Sequence, residues 1–367
     1  MHYPARPHGA FRFGAKAAVL LGGLGLMSIA CAQYAQDNLV SDGFIAADHT
    51  DSQLINPWGV SFSGSSPIWV ADNGSAVSTI YDGNGVKQGL VVGTQDDPTG
   101  TVFNGSSTDF TVSSGGNSGV AKFLFASEGG SIYGWSPSVS ANAVLGVDMS
   151  QYGASYKGLA LANDHLYAAN FARNGVDMFD SSFNYVGSFT DNMTDPGYAP
   201  FNVQTIGSNL FVTFAEVGPT GDEIDGLGLG YVDEFDTSGH LIMRIASHGV
   251  LNAPWGLAMA PSNFGAFSND LLVGNFGDGW INAFNPTTGA FLGSLTDTHG
   301  DPIAIDGLWG IAFGNGADGT QTNSLYFASG PDGEAHGLVG KLSPVPEPAS
   351  LAVLGLGAAT LLRRRRK

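Results

Sequence analysis

The sequence predicts an all-β chain folded as a six-bladed β-propeller, and three observations carry that expectation. Glycine accounts for 54 of 367 residues, about twice the usual share of roughly 7%. One sequence unit recurs six times, and no helical hydrophobic period competes with it between the two ends of the chain. A hydrophobic content of 43% is ordinary for a globular protein, so the glycines read as tight turns in a packed domain rather than as disorder.

Each unit opens with an inner strand. The openings are Pro57-Trp58-Gly59, Pro98-Thr99-Gly100, Tyr156-Lys157-Gly158, Pro200-Phe201-Asn202, Pro254-Trp255-Gly256 and Leu308-Trp309-Gly310. A second strand follows each one, over 68–72, 124–128, 166–170, 210–214, 271–275 and 325–329, always with a small residue fourth. Third strands end in an aromatic and a turn former, as in Tyr81-Asp82, Phe179-Asp180, Phe235-Asp236 and Phe284-Asn285, which is hairpin chemistry. Outer strands are expected over 89–92, 185–189, 241–245 and 291–295. Four short strands repeated roughly 40 to 60 residues apart describe propeller blades, which pack radially and leave only short edges. In the last unit the third strand, 337–342, runs straight into a Pro-rich segment. A strand over 39–46 is therefore expected to supply the missing outer strand and close the ring.

The ends read as addresses. Arg6, Arg12 and Lys16 precede an apolar run over 17–30, and Ala30-Cys31-Ala32 supplies the small-x-small pattern of a signal-peptidase site. The single cysteine would leave with that signal. At the other end Pro346-Glu347-Pro348 is followed by a short apolar helix over 349–362 and by Arg363, Arg364, Arg365, Arg366 and Lys367. Fourteen apolar residues fall short of the ~20 that a stable membrane span needs. The expected division is a signal peptide over 1–32, the propeller over 33–343 and a tail over 344–367. With so many of the 14 Lys and Arg at the ends, the middle is more acidic than the net charge of −18 indicates. Nucleic acid, which needs clustered basic residues, is excluded as a partner.

The tail resembles the PEP-CTERM sorting signal. That resemblance implies recognition by an exosortase at the inner membrane, transient anchoring through the helix and removal near Pro346-Glu347-Pro348. The middle resembles a bacterial propeller-like family that often carries this tail and has no established activity. The matching stretches include Asn56-Pro57-Trp58-Gly59, Leu251-Asn252-Ala253-Pro254-Trp255-Gly256, Val273-Gly274-Asn275-Phe276-Gly277 and Asp306-Gly307-Leu308-Trp309-Gly310. More loosely the blades are similar to NHL-type propellers, whose relatives include lactonases, lyases and binding modules. Fold analogy does not choose among these.

In a blade the loop into the first strand and the loop between the second and third emerge on one face. Trp58, Phe201, Trp255 and Trp309, with Asp72, Glu128, Asn170 and Asn275, are therefore expected around one mouth of the central channel, as a ligand-binding ring of aromatics, carboxylates and amides. The separation of Leu210 and Phe235 is nearly double that of Leu166 and Phe179 or of Leu271 and Phe284. This marks an insertion over the same face, expected to be a solvated loop. Its Asp222, Glu223 and Asp225 are candidate Ca²⁺ ligands through oxygen, although they miss EF-hand spacing. The histidines lack metal-motif spacing, and His299 with His336 is the one pair that could meet. No nucleophile elbow or Walker lysine is present.

These features favour an exported protein at the cell surface or in the extracellular matrix, with a binding or structural role. An exopolysaccharide or another surface protein would be its partner, after signal peptidase and exosortase have acted. The alternative is a metal-dependent lactonase, lyase or hydrolase working on an extracellular saccharide or lactone at the channel mouth. A scaffold engaging proteins through its blade edges is a third reading.

Overall fold

A computed structural model describes residues 33–345. The expected signal segment with Ala30, Cys31 and Ala32, and the tail from Pro346 through its apolar helix and arginines, lie outside the described residues.

Six antiparallel sheets form the six blades. The inner strands are Pro57–Ser61, Pro98–Phe103, Tyr156–Ala162, Tyr198–Ile206, Pro254–Met259 and Leu308–Phe313. In blades one to five the chain steps outward strand by strand, ending at Val92–Gly93, Val144–Asp148, Tyr185–Phe189, Leu241–Ser247 and Phe291–Ser294. Among the described residues the only helices are four three-residue 3₁₀ turns.

The sixth blade closes as expected, but with a different stretch of chain. Tyr34–Ser41 pairs antiparallel with the third strand, Leu338–Pro344, from Tyr34 opposite Pro344 to Ser41 opposite Leu338. The closing strand thus lies five residues earlier than the 39–46 expected. Gln36, Asp37 and Asn38 are polar, yet an outer strand has one face in solvent and tolerates them. Leu39 and Val40 are buried and set the register. After a turn, His49–Thr50 pairs in parallel with the end of the same strand.

Six hydrophobic clusters lie one between each pair of neighbouring blades. Trp69, Phe123 and Phe125 join blades one and two, for example, while Val40, Val70 and Tyr326 join six and one. A seventh cluster, of Trp58, Phe171, Phe201, Trp255 and Trp309, sits on the axis. Two insertions depart from the repeat, where the sequence marked one. Blade two carries a hairpin, Thr111–Ser114 with Asn117–Val120, between its first and second strands. In blade four the second strand extends to Val217 and folds back as Glu223–Ile224.

Candidate functional site

The inner strands determine what faces the axis. In each blade the ladder between inner and second strand has a register shift at the residue after the opening one. Such a bulge leaves one residue unpaired and re-aims its side chain. The six residues concerned are Trp58, Thr99, Lys157, Phe201, Trp255 and Trp309, and all are buried. The next position is Gly59, Gly100, Gly158, Gly256 or Gly310 in five blades, because neighbouring backbones leave no room for a Cβ. A Cβ at Gly310 would stand 2.4 Å from the Trp58 carbonyl oxygen, and one at Gly100 would stand 2.4 Å from the Leu159 nitrogen. In blade four the position is Asn202, whose amide donates to the Trp255 carbonyl at 2.7 Å, so the side chain itself bridges to the next blade.

The axial aromatics form a plug. Trp58 and Trp309 stack with ring centroids 3.5 Å apart, Trp255 meets both edge-on at 6.2 and 5.8 Å, Phe276 stacks on Trp309 at 4.2 Å, and Phe201 lies 5.7 Å from it. A polar layer covers the plug. The Lys157 ammonium lies 5.1 Å from the Trp58 ring centroid, bonds Glu128 Oε1 at 2.5 Å and pairs with Glu223 Oε2 at 3.5 Å. Asn73 donates to the other oxygen of Glu128, Asn56 donates to Glu334 at 2.7 Å, and Trp309 Nε1 donates to Asn56.

Burial pulls the Lys157 ammonium down, and Glu223 and Glu128 more than reverse it, so the amine stays protonated. Burial also raises the Glu223 carboxyl, against the lowering pull of Lys157. The 3.5 Å separation supplies attraction without a direct hydrogen bond, which leaves Glu223 Oε2 buried with no donor. Burial raises Glu334 in the same direction, opposed by the Asn56 amide.

The structure sorts the expected ring residues into two groups. Trp58, Phe201, Trp255, Trp309 and Glu128 gather at the mouth. Asp72, Asn170 and Asn275 are fully buried and bond to adjacent strands and loops. Asp72 accepts from the Thr79 amide, Asn170 donates to Asp177, and Asn275 donates to the Val250 carbonyl and to Asp278. The second strand of blade two is Phe123–Ser127, with Ser127 opposite Pro98 just as Asp72 is opposite Pro57. Glu128 is therefore one residue past the position of Asp72, Asn170 and Asn275, which corrects its expected alignment with them. That offset frees its carboxylate to reach Lys157.

The blade-four insertion overhangs this mouth and is solvated, as expected, at Pro219, Thr220, Gly221, Asp222, Asp225 and Leu227, but it also folds back as a short strand, Glu223–Ile224. Glu223 is 7% exposed and points to Lys157, whereas Asp222 is exposed and accepts from Thr220. Gly226 N donates to Asn252 Oδ1 and Gly228 N to the Leu251 carbonyl, tying the strap to blade five. Among the described residues no three His, Cys, Asp or Glu side chains are placed to hold a metal ion. His299 and His336 take separate partners, Asp297 and Asp42.

Lys157, Asn56, Asn73 and Glu334 are mouth residues that sequence reasoning passed over. The available signal was Lys157 itself, a charge at a repeat position held by tryptophan in three other blades. The opposite mouth was also passed over. It opens into a cavity of about 270 Å³ at the far ends of the inner strands, lined in part by Ser61, Phe62, Thr101, Phe103, Gln204 and Thr205. Between cavity and plug the channel narrows to about 20 Å³ beside Gly59, Gly100, Trp255 and Gly310.

Two uncharacterized proteins of Acanthamoeba polyphaga mimivirus are 34% identical to the chain over 321 and 330 residues. The alignments cover 83% and 85% of this chain, and 78% and 86% of the viral proteins. The chain belongs to this family. In this member residues 344–367 also match the PEP-CTERM protein-sorting motif, the mark of export with exosortase processing. Among solved structures the family member is similar to virginiamycin B lyase from Staphylococcus aureus, at 13% identity and a TM-score of 0.52, over 85% of this chain and all of that one. A Bacteroides thetaiotaomicron protein of unknown function gives a TM-score of 0.55 at 11% identity, over 85% and 76% of the two chains. At such identities the likeness is one of fold.

Proposed function

We propose that this protein is a surface or extracellular-matrix propeller that acts by binding, with the plugged mouth as its recognition face. The observation that carries this reading is the state of that mouth. Its aromatics fill the axis, and Lys157, Glu128, Glu223 and Glu334 are engaged with one another or with Asn56 and Asn73, which makes a rigid platform in place of an open cleft. The third strand of blade six runs parallel to the inner strands, so Pro344, where the sorting motif begins, lies at the opposite, open-mouth face. The resemblance to the bacterial propeller-like family supports the same role, since that family often carries this tail.

One observation favours a second reading, acid–base catalysis on a saccharide or lactone: two carboxyls raised by burial stand beside a protonated lysine, a combination enriched at active sites. The segment 33–343 separates the two when applied to immobilised exopolysaccharide and surface-protein fractions, with soluble products assayed in parallel. Retention without product is expected. Product formation that disappears in both Glu223→Gln and Glu334→Gln would replace binding by catalysis.

A further inference from the structure

We propose that the open mouth is a second binding site, one that takes a small neutral polyhydroxyl group, such as a single sugar ring or the terminus of a glycan. The site is independent of the plugged mouth and lies at the other end of the axis. Its cavity, about 270 Å³, is just under the ~300 Å³ at which pockets for drug-sized ligands begin, a size suited to one ring. It is blind, since the channel beyond holds about 20 Å³, room for one water.

The chemistry of the lining points to the ligand. The chain has 32 acidic residues, yet no charged side chain lines this cavity. A charged ligand would leave water there without a counter-charge, a costly exchange, so a neutral one is selected. The polar groups present are of the kind that read hydroxyls. Ser61 Oγ and Thr101 Oγ1 lie 3.3 Å apart, and each hydroxyl, with one donor and two acceptor positions, keeps unused capacity. Thr205 donates to the Leu161 carbonyl and retains acceptor capacity. The Gln204 carboxamide stands at the cavity with no side-chain hydrogen bond among those described, offering two donors and an acceptor. Phe62 and Phe103, both half-buried, give the rim apolar faces on which the C–H surface of a sugar ring can rest.

The test uses the segment 33–343 with methyl α-D-glucopyranoside and N-acetylglucosamine as neutral probes and glucuronate as the charged one, followed by saturation-transfer NMR and titration calorimetry. At least one neutral probe should bind, glucuronate should bind about tenfold more weakly or not at all, and Gln204→Leu and Thr101→Val should each lower affinity about tenfold. The exposed-residue control Tyr152→Ser should leave binding unchanged. Unfolding midpoints confirm that each variant is folded. Three results would overturn the proposal: no neutral probe bound at tens of millimolar, glucuronate bound as well as the neutral sugars, or affinity unaffected by both cavity variants. Any of these leaves the plugged-mouth reading standing, because no residue is shared between the two sites.

Discussion

Lys157 is 3% exposed, and a lysine at that depth is costly unless it is paired. Its position is that of Trp58, Trp255 and Trp309 in other blades, so the axis has exchanged an aromatic for a cation that gathers Glu128 from blade two and Glu223 from blade four. The pair is an energetic commitment rather than a surplus. Replacing Lys157 by Met should destabilise the protein by about 3 kcal/mol or more, because two carboxylates are left beside an apolar plug. Adding Glu128→Gln and Glu223→Gln to that variant should recover much of the loss. Thermal and urea unfolding of the single and triple variants measure both changes, and equal stability of the two would show that Lys157 acts through packing alone.

The third and outer strands of blade four are held by a second buried ionic group. Arg244 bonds both oxygens of Asp233 at 2.8 and 3.3 Å, also bonds Asp191 from the preceding loop, and lies over the Tyr231 ring. Burial pushes the Asp233 carboxyl up to about 7, although Arg244 pulls it down. In the unfolded chain an aspartate titrates near ~3.9, so between about pH 4 and pH 7 the folded state holds a proton that the unfolded state has released. The stabilisation tied to that proton is complete below about pH 4 and lost as the pH rises through about 7. Unfolding midpoints should therefore fall across this window, and Asp233→Asn should flatten the slope relative to wild type.

At the scale of the whole molecule the ring is a cycle of six inter-blade cores, and one strand completes it. Tyr34, Leu39 and Val40 of the closing strand are buried at 1–2% exposure; the Tyr34 hydroxyl donates to the Phe264 carbonyl of blade five. Removing Tyr34–Ser41 would forfeit about 3–6 kcal/mol of burial from Leu39 and Val40 alone, a large part of a typical stability of about 5–15 kcal/mol. It would also bare the edge of Leu338–Pro344 for intermolecular pairing. A chain without residues 34–41 should lose its cooperative calorimetric transition and aggregate on size exclusion. A monomer with an unchanged midpoint would mean that the sixth blade is stable with three strands.

The repeat of apolar runs, turn residues and Pro-aromatic-Gly openings by itself determined the number of blades, the strand order and the need for a closing strand. Those follow from side-chain period and turn chemistry, which are local. The gathering of Trp58, Phe201, Trp255 and Trp309 at one mouth was legible too, because it depends only on which end of each inner strand they occupy. What only the tertiary structure decided is where each polar group goes. A one-residue offset separates Glu128 from Asp72, Asn170 and Asn275, and it sends the first to the mouth and the others into their own blades. The strap that delivers Glu223 to Lys157 and the open far mouth both arise from contacts between residues distant in the chain, and these leave no period for a sequence to display.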